Sequence, residues 1–176
     1  YAGASFSPSS ITFTNDNYNT RQTVTLSIAN NDLEEGTSTN STVTWSAYGT
    51  TGTFAYIITD NDTAAITLSK TTTSVSEAAT TDTFTVVLTT DPATDVDISV
   101  ISADTGEATV STSELAFTTN NWNTPQTVTV TGVNDGSVDG DITHYITLSV
   151  IDAQSDNTYD PVLDVAVQNT TTDNNS

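Results

Sequence analysis

The sequence lacks cysteine and methionine, and only two of its 176 residues, Arg21 and Lys70, carry a basic side chain. Without cysteine there is neither a disulfide framework nor thiol chemistry, although a β-domain of sufficient size is stable in the extracellular space without cross-links. Nucleic acids and anionic membranes are bound through Lys and Arg, so this composition excludes electrostatic binding to either. No apolar run approaches the ~20 residues of a membrane helix, and we expect no membrane insertion.

Acidic residues are abundant by contrast, because 22 Asp and Glu give the chain a formal net charge of −20. Such a chain repels itself unless something neutralises the carboxylates, and metal cations are the obvious candidates. The few oxidisable and trypsin-sensitive side chains suit a harsh exterior, so we expect an extracellular or cell-surface protein. No signal peptide is recognisable, and we expect the chain to be a mature product or an excerpt of a longer one.

Strand patterns dominate the chain. Apolar and polar residues alternate with a period of two in "QTVTLSI" (22–28), "DTFTVVL" (82–88) and "DITHYITLSV" (141–150). This alternation, rich in Thr and Val, is typical of half-buried antiparallel strands, and no apolar stripe of helical period occurs. Turn-forming stretches such as "TTDPAT" and "NDGSVDGD" separate the strands. The pattern predicts an all-β fold, an antiparallel β-sandwich.

The chain repeats itself. "TNDNYNTRQTVT" (14–25) recurs as "TTNNWNTPQTVT" (118–129) at an offset of 104, which is 118 − 14, and the closing "TDND" (59–62) recurs as "TDNN" (172–175). A period near 100 residues indicates copied domains, because solenoid units are shorter. We therefore predict a first copy over 1–62 and a complete second copy over 63–176, with Phe13 and Phe117 as equivalent core residues.

The first copy has no counterpart of the early strands of the second, "TLSKTTTSVSE", "TFTVVLTT" and "VDISVIS". Half a sandwich leaves its core face and a strand edge open to water. Two explanations remain open at this point. Either the sequence is an excerpt that starts within a domain, or another chain supplies the missing strands by β-augmentation.

Acidic clusters recur at loops and strand ends in both copies. Alternate loops of a sandwich gather at the same pole, so residues that are remote in sequence can converge there. Ca²⁺ takes six to eight oxygens from carboxylates, Asn side chains and loop carbonyls. The candidate Ca²⁺ ligands are Glu77, Asp104, Asn134, Asp135, Asp139, Asp141 and Asp173 in the second copy and Asn31, Asp32, Glu35, Asp60 and Asp62 in the first.

Asp, Asn and Gly also form turns and keep surfaces soluble, which is the simpler explanation for an isolated acidic loop. Here an acidic loop recurs at the same place in both copies, and each copy ends in an acidic cap. That recurrence favours calcium. The "DGSVDGD" loop is not an EF-hand, because the Glu required at the twelfth loop position and the flanking helices are absent.

Four stretches together resemble the Calx-beta domain, known from sodium–calcium exchangers, integrins and large bacterial surface proteins. They are "SVSE" (74–77), "TFTVVLTTDPATDVDISV" (83–100), "NDGSVDGD" (134–141) and "TDND" (59–62). The resemblance covers all of the second copy and the later half of the first. It implies an Ig-like sandwich that binds calcium at one pole, near the junction to the next domain.

By position, the resemblance assigns the family's early Glu, mid-domain Asp, acidic loop and acidic cap to residues of both copies. These are Glu77, Asp104, Asn134, Asp135, Asp139, Asp173 and Asn174 in the second copy, and Asn31, Glu35, Asp60 and Asp62 in the first. Three of these positions depart from the exchanger domains, where carboxylates stand in place of Asn31, Asn134 and Asn174, and this weakens the expected affinity. The first copy also has no early Glu.

The resulting hypothesis is a structural tandem-repeat module of a bacterial extracellular filament, stalk or giant surface protein, stiffened by calcium. Its partners would be neighbouring copies or repeats of the same protein. The alternative is an adhesin or carbohydrate-binding module, which would show an exposed aromatic patch around Trp45 or Trp122. A calcium sensor is disfavoured, because extracellular calcium is steady. Nothing resembles a catalytic apparatus, and we expect no enzyme activity.

Glycans are a further expectation on the protein's own surface. Asn-X-Ser/Thr sequons occur at Asn40, Asn61, Asn169 and Asn174, but several are expected by chance in a chain so rich in Ser and Thr. The single histidine, His144, shares a strand face with Ile142 and Ile146, which favours a residue at the end of the sandwich over a ligand or base.

Overall fold

A computed structural model describes residues 3–36 and 41–175 of the chain. Within these residues there are strands and one short 3-10 helix, Asp152–Gln154, and none of the helical structure is long and apolar enough to cross a membrane. The strands are β1 (Ala4–Ser7), β2 (Thr25–Ile28), β3 (Ser41–Ala47), β4 (Thr50–Tyr56), β5 (Ile66–Leu68), β6 (Thr72–Ser76), β7 (Thr81–Leu88), β8 (Val96–Ser102), β9 (Ala108–Val110), β10 (Glu114–Phe117), β11 (Gln126–Gly132), β12 (Ile142–Val150) and β13 (Val165–Thr172).

The second copy is a two-layer sandwich. One layer has the strand order β10-β8-β12-β13-β6 and the other the order β5-β7-β11-β9. All neighbouring strands are antiparallel except β13 and β6, which run parallel. The all-β, Ig-like antiparallel sandwich expected from the sequence is confirmed. The division at residue 62 stays a prediction.

The core of the second copy follows from the alternation within its strands. Phe84, Val86 and Leu88 of β7 point inward, and Val128 and Val130 of β11 join them. All five are at most 3% exposed. Burial of one such side chain is worth ~1.5–3 kcal/mol, so these inward-facing residues contribute substantially to the driving force for folding. The remaining core residues are Ile66, Val75, Val96, Ile98, Val100, Ala108, Leu115, Phe117, Ile146, Leu148, Tyr159 and Val167.

The described part of the first copy has only two strand pairs, β1 with β2 and β3 with β4. Its side chains at core-equivalent positions stay in water. Phe117 is buried as predicted, but Phe13, 104 residues earlier, is 47% exposed, so the expectation of a core residue is wrong there. Val24 is 43% exposed, whereas its counterpart Val128 is fully buried.

The exposure of the first copy has a direct cause in the strand pairing. In the second copy β7 pairs with β11, β8 pairs with β12 and β10, and β6 pairs with β13. The described residues of the first copy contain no equivalents of β6, β7 and β8. Residues 11–13 correspond to β10, whose only partner is β8, and they accordingly form no strand.

The repeated phrase of the sequence is a repeated turn. Asn121 Oδ1 accepts the Thr118 N–H at 2.6 Å, and Asn17 Oδ1 accepts the Thr14 N–H at 2.5 Å. The side-chain amide of each Asn also bonds a carbonyl five residues earlier. Asn is used in both copies because its short side chain satisfies backbone groups that the turn leaves without partners.

Candidate metal site

Five carboxylates converge at one pole of the second copy, which we call the second pole: Glu77, Glu107, Asp135, Asp139 and Asp173. The parallel pairing of β6 and β13 brings Glu77 and Asp173 together. Ser76 and Thr172 are opposite each other at the strand ends, and the Glu77 N–H donates to the Thr172 carbonyl at 3.1 Å. The residues that follow both strands, Glu77 and Asp173, therefore lie side by side.

The remaining carboxylates come from the loop between β11 and β12 and from the residue before β9. The Val133 N–H donates to the Glu107 carbonyl at 2.8 Å, which fixes Glu107 beside the start of the 134–141 loop. Gly136 and Gly140 have φ angles of +76° and +79°, a region that favours glycine, and they turn this loop back over the pole.

The carboxylates form two groups that share one residue. Glu77, Asp139 and Asp173 offer oxygens that all lie within 4.8 Å of one another, and so do Glu107, Asp135 and Asp139. Oxygens at these separations are close enough to bind one small cation in each group. Both groups found among the described residues lie in the second copy, and Asp139 belongs to both.

Glu77 is almost fully buried, with 2% of its surface exposed. Its Oε2 accepts a hydrogen bond from Asn175 Nδ2 at 2.7 Å and a longer one from the Asn174 N–H at 3.5 Å. Burial raises the pKa of Glu77, and the charges of Asp173, Asp135 and Asp139 raise it further. A cation at this position would remove both penalties.

Glu107 was missed by the sequence analysis. It is 6% exposed, and its Oε2 is buried without a hydrogen-bond partner. Burial is the largest cause that raises its pKa, and the charges of Asp139 and Asp104 raise it further. An unpartnered buried carboxylate oxygen is costly, and cation binding is one way to compensate it. The available signal was an acid directly before the apolar residue Ala108 in "DTGEATV".

Asp173 closes the acidic cap over the loop. Its Oδ1 accepts the Asn175 N–H at 2.6 Å and its Oδ2 the Gly140 N–H at 3.0 Å. These two hydrogen bonds lower its pKa. The first copy repeats the arrangement, because Asp60 Oδ2 accepts the Gly36 N–H at 2.9 Å. The hydrogen bond from the Asp62 N–H is the largest cause that lowers the pKa of Asp60.

The other predicted residues of the second copy are nearby but belong to neither group. Asp104 is exposed and its Oδ1 accepts the Gly106 N–H within its own turn. Asp141 Oδ1 accepts the Asp173 N–H at 3.3 Å. Asn134 Nδ2 donates to Asn174 Oδ1 at 3.3 Å, which ties the loop to the cap.

The predicted ligands of the first copy are less closely gathered. Asp62 is half-buried, and its Oδ2 has no partner, as is true of the Nδ2 of Asn31. Burial raises the pKa of Asp62, and then the charge of Asp60. The first copy lacks both buried glutamates of the second pole. Glu77 has no counterpart there, and Gly3 stands 104 residues before Glu107.

The acidic loop of the first copy contacts the second copy. The carbonyl of Asp32 accepts the Asp91 N–H at 2.7 Å, and Glu34 Oε2 accepts the Ala64 N–H at 2.8 Å. Oδ1 of Asp91 is buried without a partner. The junction therefore joins the carbonyl of the candidate ligand Asp32 and the carboxylate of Glu34 to backbone N–H groups of the second copy.

The protein has little positive charge with which to neutralise the second pole. Lys70 forms an ion pair with Asp82, which lowers the pKa of that carboxyl. Arg21 lies in the first copy, four residues before β2. Neutralisation of the pole by a cation from solution is accordingly favoured over neutralisation by a side chain.

Two other expectations concern the single histidine and the sequons. His144 is buried at 8% exposure, with Nε2 3.3 Å from Ser102 Oγ, and burial lowers its pKa. The sequon residue Asn169 is fully buried and bonds Thr73 and Thr171, so it has no room for a glycan in the folded chain. Asn61 and Asn174 are exposed, and Asn40 lies outside the described residues.

Comparisons with known proteins find similarity in three-dimensional structure only. No family model matches the chain, and no curated protein matches it. The WR4 protein, an MSP family member from C. elegans, aligns with a TM-score of 0.45 and 8% identity over 60% of this chain and 96% of that one. Domains 4 and 5 of the S-layer protein SbsC align with a TM-score of 0.45 and 23% identity over 76% of this chain and 58% of that one. The E. coli chaperone DraB gives a TM-score of 0.45 and 10% identity, over 62% of this chain and 55% of that one.

Proposed function

We propose that this chain is a structural tandem-repeat module of the extracellular or cell-surface type, whose acidic poles bind Ca²⁺ and are stiffened by it. The observation that carries the proposal is the second pole. Glu77 and Glu107 are buried there around the shared residue Asp139, and Glu107 keeps an oxygen without a partner. Burial and mutual repulsion make the ionised form of these carboxylates costly, and protonation or a bound cation removes that cost.

Ca²⁺ is the cation that fits this set of donors best. All candidate ligands are oxygens, whereas zinc sites are built from Cys and His in addition to carboxylates. Mg²⁺ demands near-ideal octahedral geometry and keeps several of its waters, while Ca²⁺ accepts irregular sets of six to eight oxygens. The carbonyls of the 134–141 loop and the side chain of Asn134 would complete the coordination.

The mechanism we propose is mechanical. Without the ion, repulsion between carboxylates loosens the loops at the poles. With the ion bound, the acidic loop and the acidic cap of each copy are held to one another, and the loop of the first copy contacts the second through Asp32 and Glu34. A string of such modules would become a stiff rod, as a stalk or filament requires.

The resemblance to Calx-beta domains supports the same interpretation. In that family calcium is bound at the pole to which Glu77, Asp139 and Asp173 belong here. The high acidity of the chain suits an exterior that contains millimolar calcium, and we propose no catalytic role. Glycosylation stays a minor expectation, restricted by the burial of Asn169.

The carbohydrate-binding alternative has weaker support. Trp45 and Phe54 are 51% and 52% exposed on the β3–β4 hairpin, as an aromatic recognition patch would be. The strand pairing of this hairpin gives a different explanation for the exposure of these two side chains. Val43 pairs with Phe54 as Ile146 pairs with Val167, and Ile146 and Val167 are fully buried. The aromatics of this hairpin are therefore core residues without a cover.

Thermal unfolding of the chain with millimolar Ca²⁺, with Mg²⁺ and with excess chelator tests the proposal. Tm should rise by many degrees with Ca²⁺ and much less with Mg²⁺. The Asp139→Asn variant should lose most of the rise, since Asp139 belongs to both carboxylate groups. Asp152→Asn, at the opposite end of β12, is the matched control and should keep it.

Equal Tm values with Ca²⁺ and with chelator would contradict the proposal. The repeat would then be a plain β-sandwich spacer, and its acidity would serve solubility only. Equal responses of Asp139→Asn and Asp152→Asn would show that Ca²⁺ acts elsewhere than at the second pole.

A further inference from the structure

We propose that Asp139–Gly140 is a site of spontaneous isoaspartate formation, at which Asp173 acts as the base and bound Ca²⁺ blocks the reaction. The protection by Ca²⁺ rests on the function proposed above, whereas the isomerisation itself does not. The chain contains two Asp–Gly dipeptides, Asp135–Gly136 and Asp139–Gly140, and both lie in the 134–141 loop of the second pole.

The reaction is an attack of a backbone nitrogen on the preceding side chain. The Gly140 nitrogen forms a bond to Cγ of Asp139 and gives up its proton, while one oxygen of the carboxyl group takes protons from solvent and leaves as water. Water then adds to the backbone carbonyl carbon of the resulting cyclic imide and breaks its bond to the Gly140 nitrogen. The chain thereafter runs through Cγ of residue 139, and its former backbone carbonyl is the free carboxylate. Water is the only co-reactant, and nothing is oxidised or reduced.

Both dipeptides are open to this attack. A Cβ added to Gly136 or to Gly140 would meet no atom within 4 Å. Every residue from Asn134 to Asp141 is exposed. A side chain on the residue after Asp would crowd the attacking nitrogen, and glycine has none. Because the two dipeptides are alike in sequence and exposure, a difference in their rates has to come from their hydrogen bonds.

The two glycine N–H groups have acceptors of different basicity. The Gly140 N–H donates to Oδ2 of Asp173 at 3.0 Å, whereas the Gly136 N–H donates to Oδ1 of Asn134 at 3.0 Å. A general base lies within ~2.6–3.2 Å of the atom whose proton it takes, and a carboxylate can accept that proton far better than a side-chain amide. The backbone N–H of Asp139 also donates to the Asp173 carboxylate, which keeps it beside this peptide. We therefore expect this dipeptide to react faster than the other.

The first copy has the same hydrogen bond without the reactive side chain. The Gly36 N–H donates to Oδ2 of Asp60 at 2.9 Å, and Glu35 stands 104 residues before Asp139. The side chain of Glu is one methylene longer, so the same attack would close a larger ring, which forms more slowly. Glu35 is accordingly a natural comparison at which we expect no isomerisation.

Bound Ca²⁺ would stop the reaction at Asp139. A coordinating carboxylate is held in its deprotonated form, so its oxygen cannot leave as water. Without the ion, isomerisation moves the carboxylate of Asp139 to another carbon of the chain and takes it from both carboxylate groups at once. A module that has been deprived of calcium is thereby altered permanently, and it should lose its response to the ion.

The test incubates the 176-residue chain at neutral pH with chelator, with millimolar Ca²⁺, and with chelator in urea. Asp-N protease cleaves before Asp and not before isoaspartate, and mass spectrometry of the digest then gives the product at each position. With chelator, isoaspartate should form several-fold faster at Asp139 than at Asp135, and Ca²⁺ should suppress the reaction at Asp139 several-fold. In urea the two rates should become equal, because the contact with Asp173 is lost.

Substitutions separate the base from the rest of the loop. Asp173→Asn keeps an acceptor for the Gly140 N–H but removes the base, so the rate at Asp139 should fall to that at Asp135. Asp139→Glu should form no isoaspartate at this position, as expected for the first copy. Asp152→Asn, at the opposite end of β12, is the matched control and should leave the rate at Asp139 unchanged.

Three results would overturn the proposal. The first is a folded chain with chelator in which Asp139 reacts no faster than Asp135. The second is a faster reaction at Asp139 that persists in urea or in Asp173→Asn, since the local sequence would then be the cause. The third is a rise in Tm with Ca²⁺ while the rate at Asp139 stays unchanged, which would separate the ion from this bond. A fast reaction at Asp139 in a chain whose Tm ignores Ca²⁺ would contradict the calcium function and its protection, while supporting Asp173 as the base.

Discussion

The N–H of Asp91 donates a hydrogen bond to the carbonyl of Asp32 over 2.7 Å, and it thereby joins the acidic loop of the first copy to the second copy. Both groups belong to the backbone, so the contact is set by the position of the loop rather than by a side-chain rotamer. The loop is in turn held by Asp60, whose Oδ2 accepts the Gly36 N–H. The order of the acidic loop and the strength of the junction are therefore coupled.

We predict that Ca²⁺ slows hydrogen exchange of the Asp91 amide by tenfold or more, because a bound ion would hold the loop that carries its acceptor. Exchange measured by NMR with Ca²⁺ and with chelator gives the effect. Asp60→Asn should reduce it, since it weakens the anchor of the loop, while the second pole keeps its own response. Exchange at Asp91 that is unchanged by Ca²⁺, with a responsive second pole, would limit stiffening to the second copy.

The contribution of the Glu107 carboxylate to the free energy of unfolding is predicted to change sign when Ca²⁺ is added. Its raised pKa means that the folded state holds a proton to higher pH than the unfolded state, whose Glu pKa is ~4.3. Without calcium, stability is then lost as pH rises from that value through the folded pKa. Glu107→Gln avoids this loss, so at pH 7.5 with chelator it should be more stable than the wild type. With Ca²⁺ it should be less stable, because a ligand is missing.

Urea unfolding of both proteins at pH 7.5, with chelator and with Ca²⁺, measures this reversal. The comparison is made between proteins at one pH because His144, whose pKa is lowered, shifts stability in the opposite direction near neutrality. Glu114→Gln, exposed on β10, is the control and should follow the wild type in both conditions. A Glu107→Gln protein that is less stable than the wild type even with chelator would argue that Glu107 is a structural residue and not a ligand.

The fold could be predicted from the sequence because its signals are local. Alternation in β7, β8, β11 and β12 identifies both the strands and their inward faces. The failure at Phe13 has a non-local cause. Its pattern matches that of Phe117, but a core side chain is buried only when the opposite strands are present, and for Phe13 the described residues supply none.

The candidate site could be predicted in part for a related reason. Asp135, Asp139 and Asp173 lie in loops and caps that sequence composition identifies. Glu107 was missed because only the backbone contact with Val133 brings it to the second pole. Asp104, three residues earlier, is the acid to which the resemblance points, and its Oδ1 accepts the Gly106 N–H within its own turn. Sequence spacing does not distinguish these two acids, since the difference between them is that Glu107 is buried and Asp104 is exposed in the fold.

Tyr159 is predicted to hold together the end of the sandwich opposite the second pole. Its hydroxyl is 2.7 Å from Oγ1 of Thr90 and donates to the carbonyl of Thr90 at 2.7 Å, and both residues are at most 1% exposed. Tyr159→Phe leaves these buried groups unsatisfied and should lower the free energy of unfolding by ~1–3 kcal/mol. Tyr145→Phe, half-exposed, should change it by less than ~0.5 kcal/mol. Similar losses in urea unfolding would contradict the role of the buried hydroxyl.

The two copies allow a matched test of how strongly the burial of a phenylalanine ring determines its contribution to stability. Phe117→Ala removes a fully buried ring and should cost ~3–5 kcal/mol, whereas Phe13→Ala removes a ring that is 47% exposed and should cost less than ~1 kcal/mol. Urea unfolding followed by Trp122 for the second copy and by Trp45 for the first gives both values. An equal cost of the two substitutions would contradict the exposure of Phe13 and would mean that its ring is covered in solution.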